Sequence, residues 1–123
     1  MSFFSRLFEK QEDSYSNFNW IPLLEMEQLN EIVINSSKKT QVIFKHSTRC
    51  GVSRSVIKQF EKQNEDIENI DFYFLDLIAF RSISNAIAQN FGVIHQSPQL
   101  IVIKSGKVIA NASHYSIIDL KLK

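Results

Sequence analysis

The chain has 123 residues, a length that suits one compact domain. Apolar residues make up 44% of it, which is enough for a core, and only three glycines and two prolines argue against disorder and repeats. The formal net charge of +1 excludes a strong electrostatic attraction to nucleic acid, and no apolar run is long enough to span a membrane. The single cysteine, Cys50, cannot form an internal disulfide, so we expect a protein of the reducing cytoplasm.

Residues 1–17 have the pattern of an N-terminal tail that is apolar at first and then charged. The segment lacks the continuous apolar core and the small-residue cleavage site of a signal peptide. We expect a docked, frayed or disordered tail, or a short amphipathic helix, with a partner or membrane-surface contact as the alternative. A single domain then covers residues 18–123. The apolar side chains that would line one side of the short helix are Phe3, Phe4, Leu7 and Phe8.

The apolar pattern of the domain predicts the element order β-α-β-α-β-α-β-β-α. Pro22 confines the first strand to a sheet edge, Gly92 is a plausible stop for the third helix, and Ser105-Gly106 signals a hairpin turn. Two helical crossovers before a closing hairpin predict an α/β domain whose mixed sheet carries helices on both faces. The predicted strands are 20–23, 40–45, 70–77, 100–104 and 107–112, and the predicted helices are 24–36, 52–60, 81–91 and a short one from 116.

Cys50 lies at the junction between the strand 40–45 and the helix that follows. Unpaired N–H groups and the helix dipole favour a negative charge there, and Ser47 or Thr48 could cap the helix. A buried structural cysteine is the alternative, because free cysteines are often buried. Two hydrophilic residues before the thiol, and Gly51 after it with no side chain to cover the sulfur, favour a reactive cysteine instead.

Basic residues surround Cys50 in the sequence. Arg49 and Arg54 flank the thiol, Lys45 and His46 precede it, and all four favour the thiolate over the thiol. A thiolate stabilised in this way is also a good leaving group, which suits transfer through a mixed disulfide. His46 is therefore a plausible tuner of Cys50, although a histidine on the surface at the strand end fits the pattern equally well.

Ser53 stands three residues after Cys50, where C-x-x-C redox proteins keep their second cysteine. A serine cannot close a disulfide, so any disulfide of Cys50 must be intermolecular and must be resolved by an outside thiol. Ser53 could donate a hydrogen bond to the thiolate, since positions i and i+3 share a helix face, or it could be an ordinary first-turn serine.

The stretch HQSPQLIVI places Pro98 just before a late strand, where a proline is tolerated and a cis bond is accessible. The histidines His46, His95 and His114 are too scattered, together with Cys50, to suggest a set of metal ligands. We therefore expect no metal site.

The layout of Cys50 after a strand and Pro98 before a late strand resembles the thioredoxin fold. The blocks LLEMEQLNEI, VIFKHSTRCGVSRSV and SPQLIVIKSGKVIANASHYSI look like those of the YtxJ-type monothiol bacilliredoxins, and the similarity spans roughly residues 20–118. The resemblance implies a cis Pro98, with Ser97 facing Cys50 and its backbone groups holding an extended substrate. It also implies a structural or pocket-lining role for His114, favoured over direct proton transfer.

The same resemblance implies an activity. Cys50 would remove bacillithiol, or a similar low-molecular-weight thiol, from S-thiolated proteins through a mixed disulfide that a second thiol resolves. The small thiol is then a co-substrate, with no tightly bound cofactor and with no nucleic acid or membrane partner. Because the CGVS motif is a variation within the family, neither the small thiol nor the oligomeric state follows from it.

Two alternatives remain at this level. The CGVS motif is also similar to that of monothiol glutaredoxins, which hold an iron–sulfur cluster between two subunits with glutathione. Those proteins carry a late Gly-Gly pair and an Asp that bind glutathione, whereas this chain has Ala110, Asn111 and Ala112 there. The second alternative is a thioredoxin-like binding module in which Cys50 has no catalytic role.

Overall fold

The computed structural model describes residues 18–122, so the predictions for residues 1–17 lie outside the described part of the chain. Five strands form one mixed sheet in the order β1-β3-β2-β4-β5. The first three in this order are parallel, β4 is antiparallel to β2, and β5 closes a hairpin with β4. The elements are β1 (Trp20–Pro22), α1 (Glu27–Asn35), β2 (Thr40–His46), α2 (Gly51–Gln63), β3 (Ile70–Asp76), α3 (Arg81–Phe91), β4 (Gln99–Lys104), β5 (Lys107–Ser113) and α4 (Ser116–Asp119).

Alternation along the central strands sends successive side chains to opposite faces of the sheet, and each face is buried under two helices. One face is rich in aromatic residues and packs against α2 and α4. The other is mostly aliphatic and packs against α1 and α3. The aromatic face includes Val42, Phe44, Phe60, Phe72, Phe74 and Ile117. The aliphatic face includes Leu29, Ile32, Ile43, Leu75, Ile83 and Ile87.

The predicted element order and the mixed sheet covered on both faces are confirmed. The first helix starts three residues later than predicted, because the side chain of Gln28 organises a turn in front of it. Its Oε1 accepts the backbone N–H groups of Leu24 and Glu25 at 2.7 and 3.0 Å, and its Nε2 donates to the carbonyl of Pro22 at 3.0 Å. Gly92 ends α3 in the left-handed conformation, with φ of 65°, as the sequence predicts.

A carboxyl group is buried on the aromatic face, far along α2 from its first turn. The indole Nε1 of Trp20 donates to Glu61 Oε2 at 2.7 Å, and Glu61 is 4% exposed. Burial raises the pKa of Glu61 to about 7, although the hydrogen bond from Trp20 and the charge of Lys58 oppose the shift. Glu61 thus joins β1 to α2 at the end of the helix away from Cys50.

Within residues 18–122, none of the helices is long and apolar enough to cross a membrane.

Candidate active site around Cys50

Cys50 is placed by the turn that connects β2 to α2. Its N–H donates to the carbonyl of Ser47 at 3.2 Å, and its own carbonyl accepts the N–H of Arg54 at 3.1 Å, the first hydrogen bond of the helix. The residue is extended, with φ of −106° and ψ of 120°, and it is itself the N-cap of α2. The expectation that Ser47 or Thr48 caps the helix is therefore wrong. Cys50 is a free cysteine, and the residue is only partly buried.

Beneath the turn, His46 and Ser53 form a buried polar pair. Ser53 Oγ lies 2.8 Å from His46 Nδ1 and 3.1 Å from the backbone N of Ser47, and both side chains are fully buried. Burial, with a smaller effect of the charge on Arg54, lowers the pKa of His46 to about 4, so the ring is neutral at pH 7. Ser53 Oγ accepts the Ser47 N–H, and the direction of its hydrogen bond with Nδ1 depends on the tautomer of the His46 ring.

This pair corrects two expectations. His46 is not on the surface, and as a neutral ring it supplies no positive charge to stabilise a thiolate. Ser53 bonds to His46 and to the backbone of Ser47. Among the residues that the structure describes, no hydrogen bond joins Ser53 to the sulfur of Cys50. The pair instead ties the end of β2 to the first turn of α2, and so fixes the turn that carries the thiol.

The cations near Cys50 in sequence separate in space. Arg54 Nη1 donates to the carbonyl of Thr48 at 3.0 Å, so its guanidinium lies over the turn. A Cβ at Gly51 would lie 3.8 Å from Arg54 Nη2, an ordinary contact. Arg49 is exposed in the turn itself. Lys45 was expected to favour the thiolate, but its side chain points to the opposite face of the sheet and bonds there, so that expectation is wrong.

The Ser97–Pro98 segment reaches the same edge of the sheet, and its peptide bond is cis, as the resemblance implies. Lys45 and Gln99 are partners across β2 and β4, and continuing that register by one residue sets Pro98 beside His46, where β2 ends. Ser97 Oγ is buried and has no hydrogen-bond partner within residues 18–122. We refer to Ser97 and Pro98 as the ledge.

His114 holds the ledge through its backbone. Its N–H donates to the carbonyl of Pro98 at 3.0 Å, and its φ of 57° turns the chain between β5 and α4. The side chain is exposed. The structural role predicted for His114 thus belongs to its backbone amide.

Sequence reasoning missed one cluster near this edge, on the aliphatic face. Lys45 Nζ lies 3.1 Å from the carbonyl of Ser84 and 3.3 Å from His95 Nδ1, and Ser84 Oγ is also 3.3 Å from that nitrogen. The signal was present in the stretch VIFK, because a lysine two residues after Ile43 must share its buried face. No group of three or more potential metal-ligating side chains occurs among the described residues.

Comparisons with known proteins agree with this geometry. A family model described as "Monothiol bacilliredoxin BrxC" matches residues 21–122. A solved structure described provisionally as an oxidoreductase with a thioredoxin fold is 28% identical, with a TM-score of 0.70 over 80% of this chain and 87% of that one.

Two thioredoxins match with a TM-score of 0.64 each. The protein from Malassezia sympodialis is 22% identical and covers 80% of this chain and 82% of its own. The protein from Trypanosoma brucei brucei is 17% identical, and the match covers 83% of this chain and 85% of that one. The domain therefore has the thioredoxin fold, as the layout of Cys50 and Pro98 implies.

Proposed function

Because this chain belongs to the monothiol bacilliredoxin family BrxC, we propose that it removes a low-molecular-weight thiol from S-thiolated proteins through a mixed disulfide on Cys50. Family and fold together support a thiol redox role, and the step to this substrate class is our proposal. Bacillithiol is the small thiol we expect, with the chain as a YtxJ-type member acting in the cytoplasm and without a tightly bound cofactor.

The chemistry consists of two thiol–disulfide exchanges. The Cys50 thiolate attacks the sulfur of the small thiol in the protein mixed disulfide. A bond forms between Cys50 and the small thiol, and the target protein leaves as its thiolate. A second molecule of the small thiol, as its thiolate, then attacks the new mixed disulfide and regenerates Cys50. The two small thiols leave as their disulfide, so the second small thiol supplies the reducing equivalents that return the target to its thiol.

The observation that carries the proposal is the position of Cys50 as the partly exposed N-cap of α2. Helix N–H groups without intrahelical acceptors and a positive dipole end favour the sulfur anion there. Arg54 adds a positive charge over the turn. Because Ser53 replaces a second cysteine and is already bonded to His46, an outside thiol must complete the cycle.

The ledge supplies a place for the polypeptide around the modified cysteine. Within residues 18–122 the Ser97 Oγ is buried without a hydrogen-bond partner, and we expect the backbone groups of Ser97 to hold an extended substrate. The roles of Arg49, Gly51, Ser97 and Pro98 in substrate binding are predictions.

Intact-mass spectrometry tests the proposal directly. The full chain is treated with an equimolar mixture of the disulfide forms of bacillithiol, glutathione and cysteine. It is then treated with the three reduced thiols. We expect one adduct, whose mass identifies the small thiol, and its complete removal by the reduced thiol. The control variant is Cys50→Ser, which should give no adduct.

Two results would contradict the proposal. A wild-type chain that takes up no small thiol at neutral pH would favour a binding module without catalysis. A stable coloured dimer after anaerobic reconstitution with iron, sulfide and glutathione, without activity on an S-thiolated protein, would favour the cluster-carrying alternative.

A further inference from the structure

Lys45 is a lysine in the core of the domain. It lies in β2, and its side chain is fully buried on the α3 face of the sheet. Its Nζ lies 3.1 Å from the carbonyl of Ser84 in α3 and 3.3 Å from Nδ1 of His95. Burial lowers the pKa of Lys45 to about 8, so the amine is still mostly protonated at pH 7. Both of its partners are acceptors, which suits a charged donor.

Stability does not explain this buried ammonium. Within residues 18–122 the ion pair found joins Lys39 to Asp71, so no carboxylate neutralises Lys45. Burying a charge without a counter-charge costs free energy, and replacing such groups by apolar ones of similar volume is often neutral or stabilising. The contact therefore points to a task other than stabilising the core.

The contact holds the segment 92–98, which connects α3 to β4. Lys45 binds the side chain of His95, and Gln99 Nε2 donates to the carbonyl of Ile94 at 2.9 Å. Lys45 and Gln99 are themselves partners across β2 and β4, so their side chains share one face. Two adjacent residues of the segment are thus held by two adjacent residues of the sheet.

The segment ends at the ledge, and β2 ends at the turn that carries Cys50. Lys45 therefore links the strand that delivers the thiol to the segment that delivers Ser97 and Pro98. We propose that Lys45 is a positioning residue that, through His95, holds the ledge at a fixed place relative to Cys50 and so sets the affinity for the polypeptide around a mixed disulfide. The use of the ledge rests on the proposed function, whereas the tether rests on the contacts alone.

Two substrates separate positioning from reactivity. The first is an extended peptide whose single cysteine carries bacillithiol as a mixed disulfide, and it needs both Cys50 and the ledge. The second is a small aromatic disulfide, 5,5′-dithiobis(2-nitrobenzoate), which needs Cys50 only and releases a coloured thiolate. The variants are Lys45→Met, His95→Leu and the double variant, made in the full chain. Lys104→Met, at an exposed position of β4, is the matched control for loss of a lysine.

We expect both single variants to raise KM for the peptide by about fivefold to tenfold, the range that corresponds to loss of one ordered hydrogen bond. The kcat for the peptide and the rate with the aromatic disulfide should stay within about twofold of wild type. The double variant should be no worse than either single variant, because all three lose the same contact. Lys45→Met should unfold at the same temperature as wild type or higher, a result that a merely structural lysine would not give.

An unchanged peptide KM in both variants would overturn the proposal, and so would an equal loss of rate with both substrates. Because His95 is partly exposed, His95→Leu keeps the test valid if Lys45→Met does not fold. If the wild-type chain does not act on the peptide, the proposed function fails, and the tether is then judged by amide hydrogen exchange. Residues 92–98 should exchange faster in both variants than in wild type and Lys104→Met, and unchanged exchange would overturn the tether itself.

Discussion

Lys45 and His46 are adjacent at the end of β2, yet they serve opposite faces of the sheet. His46 lies on the aromatic face under α2, where it bonds to Ser53 and supports the turn of Cys50. Lys45 lies on the aliphatic face under α3, where it bonds to His95 and supports the segment that ends at the ledge. One strand end thus holds the thiol from one face and the proposed substrate ledge from the other.

The two residues also show how burial changes the pKa of a side chain inside a core. His46 shares a hydrogen bond with the Ser53 hydroxyl, and burial, with a smaller effect of the charge on Arg54, lowers its pKa to about 4. Lys45 faces a carbonyl oxygen and a ring nitrogen, both acceptors, and its amine keeps its proton at pH 7. Burial lowers the pKa of Lys45 from 10.5 to about 8 and that of His46 from 6.5 to about 4, so the ordinary pKa of each side chain decides that the lysine alone of this pair is charged at pH 7.

The largest expected effect comes from removing the reactive thiol at the start of α2. We predict that Cys50→Ser reduces the release of small thiol from an S-thiolated protein to the uncatalysed rate, a loss of about a thousandfold or more, because an oxygen cannot form the mixed disulfide. The measurement is the rate of dethiolation at matched protein concentrations. Ser55→Ala, at an exposed position of α2, should keep the wild-type rate. A Cys50→Ser protein that retains half of the activity would place the reaction elsewhere.

The next largest effect comes from disturbing the His46–Ser53 pair that supports the turn of Cys50, without changing the ledge. Ser53→Ala removes the acceptor of the Ser47 N–H and the hydrogen-bond partner of His46 Nδ1. We predict a loss of about 1–2 kcal/mol in the free energy of unfolding and about a tenfold slower reaction of Cys50 with a small disulfide. Thermal unfolding and the rate with the aromatic disulfide measure the two effects.

Ser53→Ala and Lys45→Met should therefore give opposite patterns, since only the former slows the small disulfide. A Ser53→Ala chain that reacts at the wild-type rate would show that the His46–Ser53 pair does not position the thiol.

A third test uses Glu61, the buried acid on the α2 face. The folded pKa of Glu61 is raised from 4.5 to about 7, so its contribution to stability is present below about pH 4.5 and is lost as the pH rises to about 7. Glu61→Gln keeps an acceptor for the Trp20 N–H without the charge. We predict that the variant is more stable than wild type by about 1–2 kcal/mol at pH 8, and that the difference vanishes near pH 4.

The quantity to measure is the difference in the free energy of unfolding between Glu61→Gln and wild type. The titration of His46 changes the stability of both proteins with pH in the opposite direction, and it cancels in this difference. The folded pKa of His46 is depressed from 6.5 to about 4, so stability is lost as the pH falls through that range. Dethiolation activity should be unchanged in Glu61→Gln, since the carboxyl lies at the far end of α2. A Glu61→Gln protein less stable than wild type at pH 8 would mean that the ionised carboxylate is favoured in the core.

The smallest expected effect concerns an ion pair that belongs neither to the His46–Ser53 pair nor to the Lys45–His95 contact. Lys39 Nζ and Asp71 Oδ1 are 3.1 Å apart, and the lysine side chain is 45% exposed. We predict that Lys39→Met changes the free energy of unfolding by less than about 0.5 kcal/mol, because solvent screens an exposed pair. Chemical denaturation measures this change in the free energy of unfolding. A loss comparable with that of Ser53→Ala would mean that charge at this distant edge contributes as much as the buried polar pair.

Much of the fold could be predicted because each element carries its own periodicity. The helix Arg81–Phe91 has the same bounds in prediction and structure. An apolar stripe at positions 83, 87 and 91 runs along it, and Gly92 ends it. The start of α1 could not be predicted from periodicity, because it depends on the side chain of Gln28 folding back onto Pro22, Leu24 and Glu25.

The site shows the same division. Position along the chain was enough to mark Cys50 as the thiol at a strand–helix junction, to set Pro98 before a late strand, and to exclude an internal disulfide. Only the folded sheet determined which neighbours act on which face. Four residues close to Cys50 in sequence were expected to act on it as cations, yet His46 is neutral and bonded to Ser53, and Lys45 points away.

Local sequence thus determined the elements, their order and the single thiol, because these depend on side-chain periodicity and residue type. Tertiary structure decided the burial of His46 and Lys45, the lowered pKa of each, and the meeting of β2 with the ledge. Those properties depend on burial and on hydrogen-bond partners as far as 50 residues away along the chain. Such distant contacts are set by the packing of the whole sheet, and no short stretch of the chain contains them.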